Sequence, residues 1–215
     1  MPLSLGIIAS SGSGPELTYR GSAAFSGQAN YTNIPIGPAT PDRLVIVCVG
    51  GFLPSGNTSR LTTFSVQIGG GTPTLVSATS TLTRYPSGIF SRLITSGVTT
   101  DVTTSYGASA PNSTSVSVYT LTGYTSSTAF GIGNASSGSS YSPTITPTAR
   151  SAIIALANEF GTGAHSWTNI IADYNPGTIY SNHTFSSASA VITSSPSISV
   201  STGTSNSSYA WAGWA

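Results

Sequence analysis

Apolar and polar residues along this chain fall into short runs. The runs are rich in β-branched residues, in several of them apolar residues recur at every second position or fill every position, and Gly, Pro, Asn or Ser bounds them. That is how strands and turns read, because successive strand side chains point to opposite faces. The runs lie at 17–25 (LTYRGSAAF), 28–36, 43–52 (RLVIVCVGGF), 61–70, 73–82 and 88–96, then at 100–107, 114–123, 149–160 (ARSAIIALANEF), 166–175, 187–195 and 207–215 (SSYAWAGWA). Turn chemistry separates them: GPATPD before the third run, PSGN at 54–57, GGGTP at 69–73, SAPNS at 109–113 and YNPG at 174–177. Helical periodicity is nearly absent. The pattern predicts an all-β fold of about ten strands, an antiparallel β-sandwich of jelly-roll or Ig-like type.

Two runs do not alternate. Leu44 to Val49 and Ala152 to Ala157 are apolar on both faces. A sandwich strand with one solvated face would be apolar on one side only, so both outer faces are expected to be covered. The cover is either a loop or the N-terminal arm, or else another subunit. In the last run, alternation puts Tyr209, Trp211 and Gly213 on one face and Ala210, Ala212 and Trp214 on the other. Core packing is the expected role, with Gly213 marking a bulge that turns Trp214 inward, and an aromatic platform for a sugar ring is the alternative. Residues 125–144 form the longest irregular stretch, a linker between two small sandwiches or a surface loop within one. No internal repeat is visible in the sequence, which favours an arm (1–14) followed by a single domain (15–215).

Charge narrows the function. Charged residues make up 5% of the chain, against about a quarter in ordinary globular proteins. Lysine is absent, and six arginines against five acids leave a net charge of +1. Such a surface has no field to draw in nucleic acid or an anionic membrane. The N-terminal apolar run is too short to span a bilayer and lacks the basic flank of a secretory signal, so the expected site of folding is the cytoplasm. Uncharged strand edges are either paired or covered in a homo-oligomer or larger assembly, which is the expectation, or protected by turns and bulges.

Candidate chemistry is sparse. Cys48 is the single cysteine, so there is no intrachain disulfide and no cysteine zinc cluster; the expected state is a buried, inert thiol. His165 and His183 read as loop or surface residues, and no serine sits in a G-x-S-x-G turn. Glu159 and Asp173 are near in sequence, but nothing marks them as a glycosidase pair. No His or Asp spacing suits a metal, and the glycine-rich stretches lack the strand–loop–helix setting of a phosphate site. The reading assigns no catalytic, metal-binding or cofactor-binding residue and expects a protein that is not an enzyme.

Six segments, MPLSLGIIASSGSG, NIPIGPATPDRLVIVCVGG, FSVQIGGGTPTLV, TSVSVYTLTG, ARSAIIALA and YAWAGWA, resemble in their order the structural proteins of tailed-bacteriophage virions. The resemblance spreads over most of the chain except 125–148 and 176–186. It implies a β-sandwich virion component, assembled in the host cytoplasm, whose partners are the major capsid protein or other virion proteins. It carries over no site residue. One role is a capsid decoration or cement protein, held by many repeated contacts, with Leu3, Leu5, Ile7 and Ile8 of the arm as assembly contacts. The alternative is a tail-fibre or tail-tip domain that binds host surface glycan. Its candidate residues are Asp173, Tyr174, Asn175 and Tyr180, since sugar sites favour exposed Tyr beside Asn and Asp. Turn formation explains the same residues more simply, since YNPG at 174–177 is a good turn by itself.

Overall fold

The structure is a computed structural model that describes residues 14–54, 65–79, 84–106, 110–135, 138–146, 150–180, 182–195, 197–204 and 207–215. Leu3, Leu5, Ile7 and Ile8 lie outside the described residues. Within them the chain forms seventeen strands and no helix. The first half holds β1 (Glu16–Ser26), β2 (Asn30–Pro35), β3 (Leu44–Phe52), β4 (Ser65–Ile68), β5 (Thr74–Ala78), β6 (Ser87–Leu93), β7 (Thr99–Ser105) and β8 (Ser113–Thr122). The second half holds β9 (Gly131–Ala135), β10 (Ser140–Tyr141), β11 (Ser151–Phe160), β12 (Ser166–Thr168), β13 (Ile171–Tyr174), β14 (Thr178–Tyr180), β15 (His183–Ile192), β16 (Ser199–Ser201) and β17 (Ser207–Trp214).

The doubly apolar runs explain the architecture. Every residue of β3 is buried, and so is all of β11 except its last. Both sit at the centre of a main sheet, in the orders β1-β8-β3-β6-β5 and β13-β15-β11-β17-β9, with β14 also on β15. One face of β3 (Leu44, Ile46, Cys48) meets one face of β11 (Ala152, Ile154, Leu156) in a shared core with Phe185 and Trp214. The other face of β3 (Val45, Val47, Val49) packs on Ile34, Val66 and Val102 from a three-stranded sheet, β2-β7-β4. The other face of β11 (Ile153, Ala155) packs with Trp211 and Ile198, beneath a second small sheet, β10-β16-β12. Four sheets are thus stacked with an apolar core between each neighbouring pair. The cover on both central strands is a sheet of the same chain, rather than a loop or another subunit.

The two halves share one topology. In the first, β1 pairs β8, β2 pairs β7 and β3 pairs β6. In the second, β9 pairs β17, β10 pairs β16 and β11 pairs β15. This is the nested antiparallel pairing of a jelly roll, used twice, with the larger sheets set face to face. Hydroxyls and amides also cross the shared core. Ser87 Oγ lies 2.7 Å from Ser208 Oγ, and Asn158 Nδ2 donates to the carbonyls of Gly51 (3.1 Å) and Pro86 (3.3 Å).

The strand count exceeds the expected ten for local reasons. The stretch 125–144 is not wholly irregular, since β9 and β10 lie within it. The run 166–175 is two strands, because Asn169 adopts φ 60° and breaks it after Thr168. Gly213 is not a bulge: β11 and β17 pair in unbroken register from Ala152↔Trp214 to Glu159↔Ser207. A glycine is required there for another reason, since a Cβ would lie 2.7 Å from Phe130 and from Ile153. Trp214 is fully buried, and its Nε1 donates to the Ser127 carbonyl at 3.1 Å.

Candidate functional site

Both histidines are interior, against the surface positions expected from sequence. His183 opens β15 and His165 precedes β12, and they are 0% and 3% exposed. Around His183 the hydrogen bonds fix the tautomer. Asn158 spends its Nδ2 protons on two carbonyls, so its Oδ1 must accept from His183 Nε2 at 2.5 Å. His183 Nδ1 is then the acceptor, and Ser113 Oγ donates to it at 2.6 Å. Burial, with the nearby His165, pushes the His183 pKa from 6.5 down to about 3, so the ring is neutral.

A second cluster places Ser186, His165 and Glu159 in line. Ser186 Oγ is 2.5 Å from His165 Nδ1, and His165 Nε2 is 3.3 Å from Glu159 Oε1. Trp167 Nε1 donates to the same serine oxygen at 3.1 Å. Burial alone would raise the Glu159 pKa. The His165 ring and the amides of Gly203 and Thr204 outweigh it and hold the carboxyl below its ordinary value. These are the side-chain types of a serine hydrolase relay, but Ser186 and Glu159 have no exposed surface. A serine acts only on a carbonyl that reaches its oxygen, so the cluster serves the folded core. Among the described residues no group of three His, Cys, Asp or Glu side chains could hold a metal ion. Cys48 is buried between the main sheets, and burial raises its thiol pKa far above the ordinary value.

The proposed glycan residues are placed apart in role. Asp173 Oδ2 lies 3.0 Å from the Tyr119 hydroxyl, and burial raises its pKa, partly offset by Ser189 and Tyr119. Tyr174 is half-buried, with its ring 6.3 Å from that of Phe185. Asn175 clamps the turn before β12: its Oδ1 accepts from His165 N (3.0 Å) and its Nδ2 donates to His165 O (2.6 Å). Tyr180, on β14, is 43% exposed.

The feature that the strand pattern did not single out is an edge. β5 pairs only with β6, and β9 only with β17, so each ends its main sheet. The two edges lie side by side, joined by the Ser77 hydroxyl donating to the Gly133 carbonyl at 3.0 Å. Neither strand carries a charge. Between them runs an open groove of about 450 Å³ lined by Leu75, Phe130 and Ile132, and a smaller groove beside it reaches Leu93. These four are 40%, 38%, 55% and 50% exposed, half of the large apolar side chains exposed on the described surface. A pattern of alternation predicts which residues a strand sends outward. It does not say which two edges the fold brings together.

No family model matches this chain, and no curated protein and no solved structure matches it.

Proposed function

We propose that the chain is a non-enzymatic structural component of a tailed-bacteriophage particle, a decoration or cement protein bound to the head lattice. The observation that carries this reading is the uncharged double edge of β5 and β9. Both histidines and Glu159 are closed inside the sheets, while Leu75, Leu93, Phe130 and Ile132 are gathered where another protein can cover them. Contiguous exposed apolar surface marks interaction sites, and sheet edges without charge lack the usual guard against pairing. The order of sequence segments resembling phage structural proteins supplies the setting. On a lattice, each copy needs only a modest interface, since many neighbouring contacts act together.

Quantitative mass spectrometry of purified particles tests the reading directly. Decoration requires a copy number that matches the head lattice, one chain per major capsid subunit or per capsomer. A copy number matching a tail or fibre symmetry, or absence from the particle, sinks it. The edge itself is tested by the double variant Leu75→Asp, Ile132→Asp. Both side chains are substantially exposed, so the thermal midpoint should hold while binding to undecorated heads falls at least about tenfold, the loss of roughly 1.4 kcal/mol. Full-strength binding by this variant would remove the edge from the interface.

A further inference from the structure

Of the few charged side chains in this molecule, two of opposite sign line one groove without pairing. The groove, about 500 Å³, opens at the end of the first half where the β6–β7 loop meets the ends of β4 and β7. Arg92 and Asp101 both line it, and among the described residues no ion pair joins them. Each is positioned by other contacts. Arg92 Nη1 donates to the Ile68 and Gly69 carbonyls, which leaves Nη2 and Nε without a hydrogen bond among the described residues. Asp101 Oδ1 accepts from Asn33 N at 2.7 Å, which leaves Oδ2 uncommitted among the described residues. Asn33 is exposed on the same rim, held at φ 56°. Thr100, 6% exposed, contributes to the wall, and its hydroxyl is buried with no hydrogen-bond partner among the described residues. Leu93 and Ile94 add an aliphatic patch.

We propose that this groove binds a neutral saccharide. The carboxylate works against a phosphate or another anion, and the guanidinium works against a cation. A ligand with no net charge satisfies both by donating to Asp101 and accepting from Arg92 and Asn33, which is what vicinal hydroxyls do. The C–H face of a pyranose ring covers Leu93 and Ile94. A volume of about 500 Å³ lies within the usual span of ligand sites, roughly 300–1,000 Å³. The groove adjoins the β5–β9 edge at Leu93, which lines both, while Asn33 and Asp101 lie outside that edge, and Asp173, Asn175 and Tyr180 lie outside the groove. It stands or falls independently of attachment to a head lattice.

The test is a titration of the full chain with methyl glycosides of glucose, galactose, mannose and N-acetylglucosamine, and with lactose and maltose, read by saturation-transfer NMR. Two variants leave the fold intact by construction. Asn33→Gly places glycine at a positive φ that favours it. Asp101→Asn keeps an Oδ1 acceptor for the Asn33 amide. At least one sugar should bind the wild type, and its affinity should fall roughly tenfold in each variant with an unchanged thermal midpoint. Tyr180→Ala should bind as the wild type does. The proposal is overturned if none of the sugars binds, if binding survives both groove variants, or if Tyr180→Ala abolishes it. Inorganic phosphate displacing the bound sugar would also overturn it, because the groove would then be an anion site.

Discussion

Arg43 shows how a chain with so few charges uses one. Its side chain is 1% exposed, and its fork donates to five carbonyls: Ile94 and Gly37, Pro38, Ser96 and Gly97. Those carbonyls belong to the turns on either side of β3 and β6, so one guanidinium ties two loops to the centre of the first half. Lysine offers three donors on a compact head and cannot reproduce the fork. Arg43→Lys should therefore cost about 2–4 kcal/mol in urea unfolding, as carbonyls lose buried partners. A change within about 0.5 kcal/mol would mean that water replaces the fork at no loss. His183 makes a different prediction, in pH. Its pKa is about 3 in the fold against 6.5 ordinarily, so the folded state prefers the neutral ring. The stability it contributes is whole above pH 6.5 and is lost as pH falls toward the folded value. The unfolding free energy from urea titrations should fall on acidification with a slope approaching about 1.4 kcal/mol for each pH unit, one proton's worth. His183→Gln should flatten that part of the profile, and an equally steep profile in the variant would refute the assignment.

At the level of strands, what the sequence made legible was burial on both faces, and what it hid was the partner. LVIVCV and AIIALA announced two central strands, and these proved to be topological equivalents, β3 and β11. Their covering sheets were harder to see. β10, β12, β14 and β16 are two or three residues long. Such segments show no periodicity of their own and exist because a neighbouring strand supplies the hydrogen bonds. The repeated topology was hidden for a related reason: nested pairing constrains which strand meets which and asks only for apolar bulk in the core. The histidines were misplaced because a polar residue in a small or polar setting such as GAHSW or SNHTF looks exposed, whereas inside the fold Ser113 and Asn158 hold both nitrogens of His183, and Ser186 and Glu159 flank the His165 ring. Gly50 of β3 faces Phe185 and Asn158 of the second half at close range. A Cβ there would lie 2.5 Å from Phe185 and 2.9 Å from Asn158. Gly50→Ala should destabilise by about 1–3 kcal/mol through overpacking. Gly163→Ala, where a Cβ meets nothing within 4 Å, should stay within about 0.5 kcal/mol. Equal effects would mean that the two main sheets separate easily.

For the whole molecule, the question is whether two jelly rolls behave as one folding unit. The core they share is large, from Leu44, Ile46, Ile89, Tyr119 and Leu121 on one side to Ile154, Leu156, Phe185 and Trp214 on the other. Its polar contacts also need both sides: Ser117 with Ser187 (2.8 Å), Ser113 with His183 (2.6 Å), Asn158 with the Gly51 carbonyl (3.1 Å). Separating the halves would expose a full sheet face and strand several buried hydrogen-bonding groups, so partial unfolding is costly. The distribution of tryptophan makes this measurable. The chain has three, Trp167, Trp211 and Trp214, all in the second half, so their fluorescence reports that half while far-UV circular dichroism reports the sheets of both. If the shared core couples the halves, the two signals should trace one transition with a common midpoint in urea. A tryptophan midpoint displaced from the dichroism midpoint would show that each half folds alone and that the face-to-face contact is an ordinary domain interface. In that event residues 14–123, produced separately, would be a soluble monomer. With coupling, the same fragment presents Leu44, Ile46, Ile89, Tyr119 and Leu121 to solvent, and it should self-associate in sedimentation, the exposed sheet face serving as its own partner.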